Sequence, residues 1–244
     1  MKRFRKAVWT TLAGASLLVS VSAFGRDTKS FDMLEGGTVD KDGIRRIYQA
    51  TGNEVALNYG SRHRNGDRYN ANHTYINYEV TGYYLTANAE KIEMKTDGPN
   101  HGGCKKLPKC QWVEPRFEMD GGKANMGSEY PHPKNHNDLP CTSCVALGGD
   151  FHNKWIGYKV IAYENEQGLR VIEQWVDPDG LDKEGKPANN WVLTLKEVNE
   201  GQIMPNPKRD LPIDGEGLEA EIRIHHGKKT EMKYGKISEI VQQY

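Results

Sequence analysis

The sequence predicts an all-β protein, a two-sheet antiparallel jelly roll, on three observations. Past residue 25 no helix-length segment repeats its apolar positions every 3.6 residues, whereas short runs alternating apolar and polar residues recur. Turn-forming residues punctuate those runs, 26 Gly and 11 Pro among 244 residues. The runs come to roughly ten to twelve, at intervals that suit a sandwich.

The amino terminus stands apart. Lys2, Arg3, Arg5 and Lys6 precede an uncharged apolar stretch, and Val21-Ser22-Ala23 follows it. That order is expected of a secretory signal over residues 1–23; the alternative is an uncleaved anchor. Cleavage there leaves 24–244 as a single domain of 221 residues. It also removes four of the 33 basic groups against 33 acidic ones, so a formally neutral chain becomes one of charge −4. A secreted or periplasmic location is expected. Balanced charge argues against a nucleic-acid partner. The 36% hydrophobic content argues against a polytopic membrane protein, and no membrane partner is expected after signal cleavage. A monomer is expected.

Residues 43–59 hold two short extended runs around Thr51-Gly52-Asn53, and 61–72 is a polar loop. A long strand is predicted over 75–86, where Ile76, Tyr78, Val80 and Tyr84 alternate with Asn77, Glu79, Thr81 and Tyr83. A further strand follows over 91–96. Residues 97–153 carry all four cysteines and read as a disulfide-rich loop region with one strand, 111–119. Strands over 155–164 and 169–177 flank the turn Asn165-Glu166-Gln167-Gly168 as a hairpin. After a polar excursion over 177–190, three strands close the chain: 191–198, 218–225 and 231–241.

In an exported chain, Cys104, Cys110, Cys141 and Cys144 are expected to form two disulfides, with all three pairings open. The competing reading is a zinc site that adds His101, His132 or His136. A redox role for Cys141-Thr142-Ser143-Cys144 lacks the βαβ context it needs. The chain contains no Gly-x-Ser-x-Gly elbow, phosphate loop, dinucleotide fingerprint or His-Glu-x-x-His helix.

The run Tyr78-Glu79-Val80-Thr81-Gly82-Tyr83-Tyr84, then Lys91-Ile92-Glu93-Met94-Lys95 leading to His101, resembles an early strand pair of secreted concanavalin A-like proteins. Lys154-Trp155-Ile156-Gly157-Tyr158-Lys159, Glu173-Gln174-Trp175-Val176-Asp177 and Tyr234-Gly235-Lys236-Ile237-Ser238-Glu239-Ile240 extend the resemblance over most of the chain. That superfamily includes polysaccharide lyases, glucanases and carbohydrate-binding modules. The resemblance implies a polysaccharide partner. The Gln-x-His and Glu-x-Asp-x-x-Glu patterns of two enzyme branches are absent.

The expected function is therefore a polysaccharide lyase that cleaves a uronate-containing glycan by β-elimination. The alternatives are a non-catalytic carbohydrate-binding protein, a glycoside hydrolase of the same fold, and a disulfide-stapled adhesion domain. β-Elimination needs a cation to neutralise the uronate, for which Lys95 or Arg62 are candidates. It needs a base, His101 or His132, and an acid, Tyr130 or Tyr163. A hydrolase needs two carboxylates, about 5–5.5 Å apart for retention, and Glu129 with Glu173 is the best pair.

Centring the hairpin on Glu166 sets Lys159 opposite Glu173 and Gly157 opposite Trp175. Trp155, Lys159, Tyr163, Glu173 and Trp175 then share one face as a substrate-binding set. Ile156, Tyr158, Val160, Ala162, Ile172 and Val176 face the core. The plainer readings are an ordinary Lys159–Glu173 ion pair and a core Trp175. No cofactor is required. Asp177, Asp179 and Asp182 form a candidate calcium site, although Asp177-Pro178-Asp179-Gly180 is equally a turn sequence. A single site requires Lys95, His101, Glu129, His132, Lys159, Glu173 and Trp175 to converge in one groove.

Overall fold

A computed structural model describes residues 30–32, 45–50, 57–59, 77–99, 112–129, 136–201, 218–227 and 230–240. In those residues the chain forms two antiparallel sheets and no α-helix. The first sheet has six strands in the order β1 (Ser30–Asp32), β13 (Thr230–Glu239), β4 (Tyr78–Thr86), β9 (Trp155–Glu164), β10 (Arg170–Asp177), β11 (Val192–Val198). The second has seven, in the order β3 (Leu57–Tyr59), β2 (Arg45–Ala50), β12 (Leu218–Ile224), β5 (Lys91–Pro99), β6 (Trp112–Glu118), β7 (Ala124–Glu129), β8 (His136–Leu139). Non-consecutive neighbours in both sheets make this the jelly roll that the alternation predicts.

The core lies between the sheets and is built from one parity of each strand. The six-stranded sheet contributes Tyr78, Val80, Tyr84, Ile156, Tyr158, Val160, Ala162, Ile172 and Val176; the seven-stranded sheet contributes Ile92, Met94, Val113, Phe117, Met126, Ile222 and Ile224. Burial of each large aliphatic or aromatic side chain is worth about 1.5–3 kcal/mol. Two polar side chains that enter this layer bridge it. Tyr158 Oη donates to the Pro115 carbonyl (2.8 Å), and Gln174 Nε2 donates to the Arg116 carbonyl (3.2 Å), so each ties one sheet to the other. Phe117 meets Phe151 edge-on at 5.2 Å.

Two expectations are corrected, and one strand carries an irregularity the sequence reading did not address. Residues 97–153 are more than a loop region with one strand, because β7 and β8 lie there too. Ala-Asn-Met-Gly-Ser-Glu and His-Asn-Asp-Leu have weak β propensity, and tertiary pairing overrides it. The hairpin centres on Gln167, with Arg170 opposite Glu164. Trp175 therefore faces Lys159, Asp177 faces Gly157 and Glu173 faces Ile161. A slip of two residues keeps parity, so the predicted core face and outer face both hold. Finally, β13 carries a bulge. From Lys233 to Lys236 it advances three residues while β4 advances two, from Tyr83 to Thr81.

Candidate functional site

The two outer faces of the sandwich differ in kind. On the seven-stranded sheet, Glu93 and Lys95 of β5, Glu114 and Arg116 of β6, Glu129 of β7 and Arg223 of β12 take the parity opposite to the core. All are buried, and they neutralise one another. Lys95 Nζ pairs with Glu114 Oε1 at 3.0 Å and with Glu129 Oε1. Arg116 spends its fork on Glu93 (3.1 Å), Glu114 (2.6 Å) and Asp138 (2.6 Å). Burial alone would push the Glu93 carboxyl up. The His225 imidazole at 3.3 Å and the Arg223 and Arg116 charges hold it down at about 2. Lys95 is 0% exposed, so its ammonium is committed to two carboxylates within the fold and does not stand ready for a uronate.

The six-stranded sheet turns a different face outward. Trp155, Lys159, Tyr163 and Trp175 stand half-buried, in the parity the sequence predicted. Glu173 is the shared acceptor of this set. It receives Tyr163 Oη (3.0 Å), Trp175 Nε1 (3.0 Å) and Lys196 Nζ (2.8 Å). The hydrogen bond to Glu173 raises the Lys196 pKa, while burial first and Glu173 second raise that of Tyr163. Lys159 thus makes no pair with Glu173, contrary to the plainer expectation. Its Nζ lies over two indoles, 4.1 Å from the centre of Trp191 and 5.9 Å from that of Trp175. Burial lowers its pKa against the pull of Glu79, Asp177 and Glu173.

Trp191, which the sequence reading placed only at the start of a strand, is the principal residue it missed. A Cβ on Gly157 would come within 2.7 Å of the Trp191 ring, 2.8 Å of Asp177 Cβ and 2.9 Å of the Tyr83 ring. The indole predicted above Gly157 is therefore Trp191 and not Trp175. Trp191 tilts against Tyr83 at 5.6 Å. Both aim their polar atoms at Asn189 Oδ1, Tyr83 Oη at 3.4 Å and Trp191 Nε1 at 3.3 Å. Asn189 has φ 60°, a left-handed conformation that Asn tolerates. The signal that pointed to Trp191 was the bare Gly157 on an otherwise bulky outer face.

The three aspartates of the proposed calcium site do not gather. Asp177 is buried, and its Oδ1 accepts from the backbone amides of Asp179 and Gly180, both at 3.1 Å. Asp179 Oδ2 accepts from Asn190 Nδ2 (2.9 Å). Asp182 Oδ1 accepts from the amides of Glu184 (3.0 Å) and Lys186 (2.8 Å). These are turn hydrogen bonds. Among the described residues no three His, Cys, Asp or Glu side chains are grouped to hold a metal ion.

Cys141 and Cys144 form a disulfide, which removes both from any zinc site. Its loop docks on β11 through Ser143, whose amide and hydroxyl reach Glu197 Oε1 at 3.2 and 2.8 Å. Arg62, His101, Tyr130, His132, Cys104 and Cys110 lie outside the described residues, as does the His136 side chain. The single-groove expectation fails on the remaining members. Lys95 and Glu129 belong to one outer face, and Lys159, Glu173 and Trp175 to the other, with the core between. Glu129 and Glu173 consequently cannot flank one glycosidic bond.

No family model and no curated protein matches the chain. Among solved structures it is similar to a galectin from Caenorhabditis elegans, at 9% identity and TM-score 0.35 over 69% of this chain and 84% of that one. It is also similar to the marine alginate lyase of Aplysia kurodai, at 12% identity and TM-score 0.36 over 86% and 90%. A third is the β-porphyranase of the human gut bacterium Bacteroides plebeius, at 10% identity and TM-score 0.36 over 82% and 77%. The fold assignment rests on the strand pairing itself.

The six-stranded face combines flat apolar rings with fixed polar edges and an ammonium, partly open to water. Such a surface can stack against the C–H face of a ring and hydrogen-bond its substituents.

Proposed function

We propose that the protein is an exported polysaccharide-binding protein whose ligand lies across the outer face of the six-stranded sheet. The observation that carries this reading is the Lys159 ammonium held over Trp191 and beside Trp175, with the buried Tyr83 ring supporting Trp191 from beneath. Pyranose rings present apolar C–H faces and a rim of hydroxyls. Indoles and phenols match the first, and the amide, carboxylate and ammonium groups around them match the second. Among the described residues, the opposite face carries charges that are buried and mutually neutralised. A glycan array probed with the wild type, Trp191→Ala and Trp175→Ala tests the reading. Binding by the wild type that both variants lose supports it. Binding that both retain would sink it.

A second reading, β-elimination of a uronate glycan, is favoured by one observation: burial makes Lys159 less basic than a free lysine. A deprotonated Lys159 can take the C5 proton. The electrons form the C4–C5 double bond and expel the C4 oxygen, which takes a proton from Tyr163 on the same face. The absorbance of unsaturated uronates, followed over a panel of polyuronates, decides it. A flat trace with every polymer removes catalysis and leaves the binding reading standing.

A further inference from the structure

We propose that the binding face continues onto β13 and takes an acidic polysaccharide at two charged residues at once. The second acidic sugar would sit on Tyr234 and Lys233. This rests on the binding-face reading above and extends it to a subsite and a ligand class.

The bulge in β13 is the starting point. Its extra residue breaks the alternation, so that Lys233 and Tyr234 both contact outer-face side chains. Tyr234 holds φ 50°, a conformation that costs a β-type aromatic residue energy and that the surroundings must impose. They do so from two sides. Its hydroxyl donates to the Gly185 carbonyl at 2.9 Å, and its ring stands edge-on to Tyr83 at 6.0 Å. Despite these restraints the side chain is 49% exposed. A strained, hydrogen-bonded, half-open aromatic ring beside the Tyr83–Trp191 pair is a preorganised stacking surface.

Charge supplies the second argument. Lys233 Nζ lies 5.1 Å over the Trp155 ring, repeating the Lys159–Trp191 arrangement. Among the described residues neither ammonium has a carboxylate within ion-pair distance. The carboxylates of the face make their direct contacts with other groups: Glu173 with Lys196, Asp177 Oδ1 with backbone amides, Glu79 with the Thr81 hydroxyl. Among the described residues, two ammoniums outside any ion pair thus stand on one face, Lys159 within the longer-range field of Glu79, Asp177 and Glu173. Lys233 and Lys159 are two strands and one outward-facing position apart, which puts their Cα atoms about 12 Å from each other. One ring does not span that gap, so the match is a chain that carries anionic groups on separate residues. The recognising chemistry is an oxyanion against an ammonium, from a uronate carboxylate or a sulfate ester.

Isothermal titration with oligouronates and with sulfated galacto-oligosaccharides, each from two to six residues, tests the proposal. The proteins are the wild type, Tyr234→Asn, Lys233→Met and Trp191→Ala. Asn tolerates the left-handed backbone, and Lys233→Met leaves the bulge untouched. The wild type should gain affinity with length in one series, and that series identifies the anion. Tyr234→Asn and Lys233→Met should each lose about tenfold on the longest oligomers and keep wild-type affinity for the shortest. Trp191→Ala should weaken every length. If Tyr234→Asn and Lys233→Met bind all lengths as the wild type does, or weaken them equally, the subsite is overturned and the binding face survives. Wild-type binding of neutral oligosaccharides alone overturns the acidic class. Failure to bind any glycan overturns the face and the subsite together.

Discussion

Glu173 and Lys159 sit on the same face and do opposite things there. The Glu173 carboxylate is saturated by Tyr163, Trp175 and Lys196, so its work is to fix the plane of the Trp175 indole. Glu173→Gln turns two neutral donors to a charged acceptor into weaker bonds. It should cost about 1–2 kcal/mol by denaturant unfolding, with little added by the half-exposed lysine. Lys159 instead pays for its position. Burial lowers its pKa, so the fold disfavours its charged form at every pH below the folded-state value, and stability should rise as pH climbs through that value towards 10.5. Lys159→Met keeps the apolar stem and deletes the charge. Its thermal midpoint at neutral pH should equal or exceed that of the wild type, while affinity for an anionic glycan falls. A midpoint several degrees lower would mean that the ammonium is structural.

At the scale of strands, the site depends on one missing side chain. Gly157 on β9 lies under Trp191, Asp177 and Tyr83, and an added Cβ would fall inside van der Waals contact with all three. Gly157→Ala should overpack the face by about 1–3 kcal/mol and lift Trp191 from its seat. A red shift in tryptophan emission with loss of glycan binding is the expected readout; unchanged emission and binding would contradict the placement of Trp191. The same strand pair shows what the sequence makes legible. Parity was readable from Ile156, Tyr158, Val160 and Ala162 alternating with Trp155, Gly157, Lys159 and Tyr163, because a face is set by side-chain period alone. Register was not readable, because it turns on whether Glu166 or Gln167 centres the hairpin, a matter of local backbone geometry. The displaced register put Trp175 where Trp191 lies. Trp191 reaches the sheet from the end of the 178–190 segment, a long-range approach with no periodic signature. The bulge at Tyr234 was hidden for a similar reason: Lys-Tyr-Gly-Lys reads as continuing alternation, and only pairing with β4 exposes the extra residue.

Over the whole molecule, the sandwich sets a face of buried, paired charges against a face of half-buried aromatic rings, the face proposed for the ligand. Lys95 and Glu129 looked catalytic in the sequence as a cation and a carboxylate near histidines. The sheet order brings them to strands on either side of β6, where Lys95 pairs with Glu129 and with Glu114 of β6 between them. Removing one partner from such a buried cluster leaves charge uncompensated, so Lys95→Met should destabilise by about 3–5 kcal/mol. The network also sets the response to acid. The folded-state Glu93 pKa of about 2 lies below its ordinary 4.5, so its contribution is complete above 4.5 and disappears as pH falls through about 2. Unfolding free energy, measured from pH 7 to pH 2 in wild type and Glu93→Gln, should draw together towards the acid end, where the wild-type carboxyl begins to take up its proton. Curves that stay parallel would remove Glu93 from the acid response. The decisive comparison crosses the two faces. Under conditions where both variants are folded, Lys95→Met should bind glycan with wild-type affinity despite its lower stability, and Trp191→Ala should lose affinity with a smaller stability cost. If Lys95→Met loses binding while still folded, the two faces are coupled and the separation proposed for them does not hold.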